Sequence, residues 1–267
     1  MGKKISQLTI ASFPYEGEDL FAMVEGGGTK AAPLSTLQTF LSGQGYIASA
    51  DKNNFFGNLS ASGSDIQTIV GDISGTRKIT IGAGHTNTGT YATIGGGCNN
   101  AATDGYATIA GGCGNCATDG VATVGGGKEN EAVGDCSTIA GGYSNCAAYG
   151  GADFIGGGCN NHTVGSGTSI VGGHVNRAGG TAAIVGGGCL NVACGTYGVV
   201  GGGYGLSATG DNSFAGGGDC NVVTGKCATV AGGVSARVTA DKATVVGGGR
   251  NLASGLSAIV GGGTQNT

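Results

Sequence analysis

From Gly89 to Thr267 the apolar positions follow two superposed spacings. Locally they alternate: Ala92 and Ile94, Ala107 and Ile109, and Ala122 and Val124 stand two residues apart with Thr93, Thr108 and Thr123 between them. A period of two turns one row of side chains to a core and the intervening row outward, which predicts short β-strands. Over longer range the whole pattern returns every fifteen residues. Ile94-Gly95-Gly96-Gly97-Cys98-Asn99-Asn100 reappears as Ile109-Ala110-Gly111-Gly112-Cys113-Gly114-Asn115 and runs on to Val260-Gly261-Gly262-Gly263-Thr264-Gln265-Asn266. One extra residue, around Tyr149, Gly150 and Gly151, breaks the step once. A fixed period of this length marks a repeat architecture, in which a unit buries its apolar face only against its neighbours.

Each unit predicts one coil of a parallel β-solenoid. A β-branched position precedes the glycine pair, a turn follows it, and a second short segment bears Asn100, Asn115, Asn130, Asn145 and their successors, with small residues such as Ala102 and Ala117 two places on. A second corner closes the unit through Gly89, Gly134, Gly165 and their equivalents, or through Asp104-Gly105 and Asp119-Gly120. Glycine suits corners that need positive φ or close backbone approach. Two strands and two corners make a flat, narrow coil. Coils stacked about 4.7–4.9 Å apart give a rod roughly 55–60 Å long for a dozen units. The repeated asparagine reads either as a hydrogen-bonded ladder along the stack or as the holder of a left-handed corner; Leu206 and Ala236 interrupt it.

A coil filled with Ala and Val buries little apolar surface, so a single rod is short of stabilisation. The outward row before the β-branched position begins as Thr93, Thr108, Thr123 and Thr138 and then includes Phe154, Ile184, Val199, Phe214 and Ile259. An outward row that turns apolar favours self-association, for which cyclic symmetry is the usual solution.

The chain ahead of the repeats differs. Residues 1–45 read as a small α+β module: Leu20 to Val24 is a strand candidate, Gly26-Gly27-Gly28 returns the chain into Thr29 to Ala32, and Pro33 opens a short helix with Leu34, Leu37, Phe40 and Leu41 on one face. Residues 46–88 are transitional, and Thr80 to Asn87 reads as a degenerate coil that caps the stack, because terminal solenoid units are usually atypical. Residues 89–267 are the repeats.

Lys4-Ile5-Ser6-Gln7-Leu8, Glu18-Asp19-Leu20 leading to Val24, Gly27-Gly28-Thr29-Lys30 and the Leu34-to-Leu41 segment together resemble the N-terminal module of many tailed-phage fibre and virion proteins. The repeats, as in Gly95-Gly96-Gly97-Cys98-Asn99-Asn100-Ala101-Ala102 with Tyr106-Ala107-Thr108-Ile109, resemble the head repeats of trimeric autotransporter adhesins and their phage-fibre relatives. These resemblances imply a left-handed β-roll, a homotrimer about the rod axis, other virion proteins as partners through the N-terminal module, and localisation in a virion assembled in the bacterial host cytoplasm.

Composition agrees with a solenoid. The chain has 62 Gly among 267 residues, only 2 Pro and no Trp, yet 39% hydrophobic residues, and its glycine is periodic where a disordered linker's is not. A net charge of -4 and a pI near 5.2 supply no basic patch for nucleic acid. No apolar run reaches a bilayer span and no signal-peptide core follows Met1, so no membrane partner is expected. Met1 to Ser6 matches an N-myristoylation pattern, read here as chance.

Candidate chemistry is sparse, and the sequence assigns no catalytic, cofactor-binding or metal residue. Cys113-Gly114-Asn115-Cys116 is a CxxC without the surrounding βαβ pattern of a redox motif or a second pair for zinc. Cys98 and Cys113 fall one coil apart, with Cα atoms about 4.8 Å from each other and so within disulfide range; a bacterial cytoplasm would keep them reduced. Asp104 and Asp119 are also one coil apart, near glycosidase spacing, but each precedes a corner glycine and reads as a turn residue. His85, His162 and His174 take unrelated repeat positions.

The expected function is that of a non-enzymatic virion structural protein: a trimeric fibre, spike or capsid decoration that projects from the particle and contacts or stabilises a surface, with a host surface glycan or protein as a further partner. A bacterial adhesin head, a tailspike depolymerase and an ice-binding solenoid are the alternatives. The last is suggested by the in-register threonines and limited by their end at Phe154.

Overall fold

A computed structural model describes residues 20–25, 28–33, 79–148 and 150–267. The chain divides into two compact units, residues 1–75 and 76–267. Within the first, β1 (Leu20–Glu25) and β2 (Gly28–Pro33) pair antiparallel, with Glu25 opposite Gly28 and Leu20 opposite Pro33. This is the strand and return that the sequence predicts. Pro33 ends β2, where a missing N–H costs least, and the helix expected over Leu34 to Leu41 lies outside the described residues.

The second unit is a parallel β-solenoid of about 12 turns with no helix among its described residues. β3 (Ile79–Thr80) and β4 (Thr86–Asn87) open it, and β5 (Thr93–Ile94) and β6 (Ala101–Ala102) follow in register. All later strands are also two residues long and alternate between a thirteen-stranded and a twelve-stranded parallel sheet. Residues 79–88, assigned to the capping segment by sequence, are thus paired into the column. The inserted residue lengthens one step to sixteen in each line of contacts, so that Thr138 pairs with Phe154, Tyr143 with Cys159 and Cys146 with His162.

The coil is less flat than two strands and two corners would make it. A third line of parallel contacts runs through Ala83, Cys98, Cys113, Lys128, Tyr143 and onward to Thr264. The three lines enclose a thin core. Ile94, Ile109, Val124 and Ile139 of the larger sheet face Ala102, Ala117, Ala132 and Ala147 of the smaller, all fully buried. The position opposite the branched row is alanine in most coils, and Thr163, Val223 and Val238 take it, fully buried, in three others.

Corner conformations also differ from expectation. The left-handed residue at the second corner is not the glycine but the residue two places on: Tyr91 at φ 61°, Cys136 at 55°, Ala182 at 54° and Tyr197 at 55°. The glycine itself is needed for proximity, since a Cβ on Gly195 would collide with the carbonyl oxygen of Gly210 in the next coil. At the first corner the left-handed residue immediately precedes the asparagine, as at Asn99 and Glu129. The asparagine points inward, so of the two readings of that column the ladder is the one found.

Asn145 shows the ladder's geometry. Its Nδ2 donates to Gly141 O in its own coil and to Gly158 O in the next, both at 3.0 Å. Its Oδ1 accepts the backbone N–H of Asn161, also at 3.0 Å. A fully buried amide with all these partners is stabilising, whereas one without them would cost about 1–3 kcal/mol per orphaned group. The last glycine of each triplet makes room for it: Gly142 has φ +99°, and a Cβ there would lie 2.6 Å from Asn145 Nδ2.

Where Ala236 replaces the asparagine, its N–H still bonds Asn221 Oδ1 at 2.8 Å, but no amide returns to the Gly232 and Gly248 carbonyls. Ala236→Asn is therefore expected to stabilise the column by about 1 kcal/mol. Thermal denaturation of the variant should show a higher midpoint; an unchanged or lower one would contradict the role given to the ladder.

Candidate functional site

Because every coil repeats, side chains from successive coils are brought together in columns, and candidate chemistry is best read column by column. The outward column of the twelve-stranded sheet runs Cys116, Glu131, Cys146, His162, Arg177, each paired in register with the next. It places a thiol between a carboxylate and an imidazole, residue types that make a nucleophile and its base when the proton moves from sulfur to nitrogen. The sequence reading missed this juxtaposition, because the extra residue near Tyr149 moves His162 into line with Cys146.

The local fields oppose that proton transfer. Burial, with the Glu131 carboxylate second, raises the Cys146 thiol to about 11; its Sγ lies 3.9 Å from Glu131 Oε2. Burial, reinforced by the Arg177 charge, lowers His162. Burial and Glu131 also raise Cys116. Both members of the would-be pair are held in their neutral forms, so the column favours a resting thiol over a thiolate–imidazolium pair.

The three histidines occupy three different columns. His174 lies on the bridge line, where its Nδ1 is 3.6 Å from Cys189 Sγ. His85 stands fifteen residues before Asn100 and replaces the asparagine of its coil. The N–H of Asn100 donates to His85 Nδ1 at 3.0 Å, which leaves the proton on Nε2, 2.9 Å from Ile81 O. The imidazole thus reproduces the ladder's bonding with one acceptor and one donor. Aligning His85 with Asn100 would have revealed this from sequence alone.

Asp104 and Asp119 are turn residues in the structure. Their Oδ1 atoms accept the N–H groups of Gly105 and Gly120 at 2.6 and 2.8 Å. Asp211 and Asp241 at the same corner accept the N–H groups of Thr196 and Lys226 in the preceding coil. Cys113 lies on the bridge line and Cys116 in the twelve-stranded sheet, so the CxxC spans a corner. Among the described residues no three or more His, Cys, Asp or Glu side chains gather to hold a metal ion, and no helix is long and apolar enough to cross a membrane.

Among the described residues one carboxylate is buried. Asp153, 1% exposed, occupies an inward position filled in other coils by small residues such as Ala122, Ser137 and Ala183. Its Oδ1 accepts both the N–H and the hydroxyl of Thr168, at 2.8 and 2.9 Å. Its Oδ2 and the facing Thr163 hydroxyl are buried without a bond of good geometry. Burial raises the Asp153 carboxyl above the usual range, opposed by the Thr168 bonds; the groups acting on it are neutral.

Two consequences are measurable. A folded-state pKa above the unfolded value means stability is fully present below the ordinary Asp range, near pH 4, and is lost as pH rises through the raised value. Asp153→Asn keeps the Thr168 contacts and removes the buried charge. It should melt higher than wild type at pH 7.5, and the difference should shrink towards pH 4; a constant difference would contradict the assignment. In the outward column, Glu131→Gln should lower the Cys146 pKa and speed its alkylation at pH 8 by roughly two- to fivefold, read by peptide mass spectrometry as a rate-against-pH profile. Comparison with known proteins matches no family model and no curated relative.

Proposed function

We propose that this protein is a structural component of a surface: a rod projecting from a virion as a fibre, spike or capsid decoration and assembled as a homotrimer. The supporting observation is the outward column of the thirteen-stranded sheet. It begins with half-buried Thr93, Thr108, Thr123 and Thr138, then carries Phe154, Ile184 and Phe214, which are 40%, 41% and 40% exposed, with Ser169 and Val199 between them, and after Thr229 and Thr244 reaches Ile259, which is 75% exposed. The column is backed by a rigid ladder of coils, so its side chains are presented in one line at a fixed spacing. Aromatic and branched residues in such a line match the fully desolvated centre of an interface between copies.

A rod of this kind is a spacer. Its length scales with the number of coils, its backbone groups are consumed by neighbouring coils, and its resting Cys146 and neutral His162 suit endurance more than turnover. The hairpin of Leu20–Glu25 and Gly28–Pro33 belongs to the segment resembling virion attachment modules and is assigned the anchoring role.

Sedimentation velocity of the full chain tests the assembly. A trimer is expected for wild type and a monomer with unchanged circular dichroism for Phe214→Asp, since the ring is exposed and packs over Gly216. A monomeric wild type would overturn the interface. Immunogold labelling of particles from the source culture tests the location; label confined to cell envelopes would favour a bacterial adhesin head.

A further inference from the structure

The ten cysteines are free in this structure, and eight of them have no cysteine partner in an adjacent coil. Cys116 and Cys146 are separated by the coil bearing Glu131, and Cys159 and Cys189 by the coil bearing His174. Cys136, Cys220 and Cys227 sit at left-handed corner positions. Cys194 faces Arg177, whose Nη1 lies 2.9 Å from its sulfur. One pair differs: Cys98 and Cys113 are direct partners on the bridge line, and their sulfurs approach to 2.6 Å.

We propose that Cys98 and Cys113 are an oxidation site, forming an intrachain disulfide that clamps two successive coils once the protein meets an oxidising medium. In-register parallel residues in adjacent coils have Cα atoms about 4.8 Å apart, inside the disulfide range of roughly 4.4–6.8 Å. Both thiols are half-buried, open to a small oxidant. The coils they join are the second and third from the start of the described column, beside the coil in which His85 stands in for asparagine, so the clamp reinforces the end whose ladder is atypical.

The chemistry balances with a low-molecular-weight disulfide such as oxidised glutathione. One cysteine thiolate attacks it, forming a mixed disulfide and releasing one glutathione thiolate. The second cysteine thiolate then attacks the protein sulfur of that mixed disulfide, closing the Cys98–Cys113 bond and releasing the second glutathione. Two protein thiols are oxidised and one glutathione disulfide is reduced to two thiols. The hydrogen bond that the Cys98 thiol donates to Cys113 Sγ, with burial adding to it, holds Cys98 above its ordinary value, so closure should quicken in mild alkali. The bond closes a loop already fixed by the coil, and the constraint falls on the unfolded chain.

The test uses the full chain equilibrated in oxidised glutathione, then denatured and alkylated without reduction. Eight of the ten cysteines, ten less the two in the bond, should alkylate, and a protease digest should contain a Cys98–Cys113 linked peptide pair within one chain. The oxidised protein should melt several degrees above its reduced form, and Cys98→Ser or Cys113→Ser should abolish that gap while Cys220→Ser preserves it. Circular dichroism of the serine variants verifies that they fold. The proposal is overturned if all ten thiols alkylate, if the linked peptides join other cysteines or different chains, or if oxidised and reduced protein melt together.

Discussion

A buried amide hydrogen-bonded to the coil on either side carries this column. The inward rows are thin: in most turns one branched residue faces alanine, and such a core cannot by itself hold a rod together. The asparagine supplies what the core lacks. At Asn145 the side chain ties two glycine carbonyls to one another and accepts the next coil's N–H, so each coil fixes the height and register of its neighbour. Because the contacts run only between adjacent coils, stability accumulates along the column as in other one-dimensional repeat proteins.

That amide imposes the composition around it. The residue before it must take a left-handed conformation to turn the side chain inward, and Asn99, Glu129, Asn160, Leu190 and Arg250 all do so. The β-branched Val175 does so as well, at φ 55°, a conformation costly for its side chain. The repeated hydrogen bonds on either side hold it there. Each such N–H finds a carbonyl in the preceding coil, as Val175 does with Cys159 O at 3.0 Å. The ladder tolerates substitution only where the backbone half of the bonding survives, as at Leu206, whose N–H still reaches Asn191 Oδ1 at 2.9 Å.

With the interior constrained in this way, variation is greatest in the outward columns. Their residues are free of packing constraints and change from threonine to phenylalanine, or from cysteine to glutamate to histidine, without disturbing the coil. This separation explains why a monotonous repeat presents distinct surfaces along its length. It also explains why Asp153 stands out: it is a charged residue type on an inward row, next to the one place where the period slips.

The period, the parallel pairing and the inward and outward rows could be read from the chain alone, because a fifteen-residue spacing of Ile94, Gly97 and Asn100 leaves one stacking register that superposes like on like. The antiparallel pair of Leu20–Glu25 and Gly28–Pro33 was legible for the same local reason, a strand pattern interrupted by glycine in the sequence. What the spacing did not reveal was geometry across coils. The line of contacts through Cys98, the left-handed backbone at Tyr91 and Tyr197 and the alignment of His162 with Cys146 all depend on how one turn seats on the next. Sequence specifies which residues repeat; only the packed column decides which atoms meet, because hydrogen-bond partners fifteen or sixteen residues apart are chosen by the height and rotation of the coil between them.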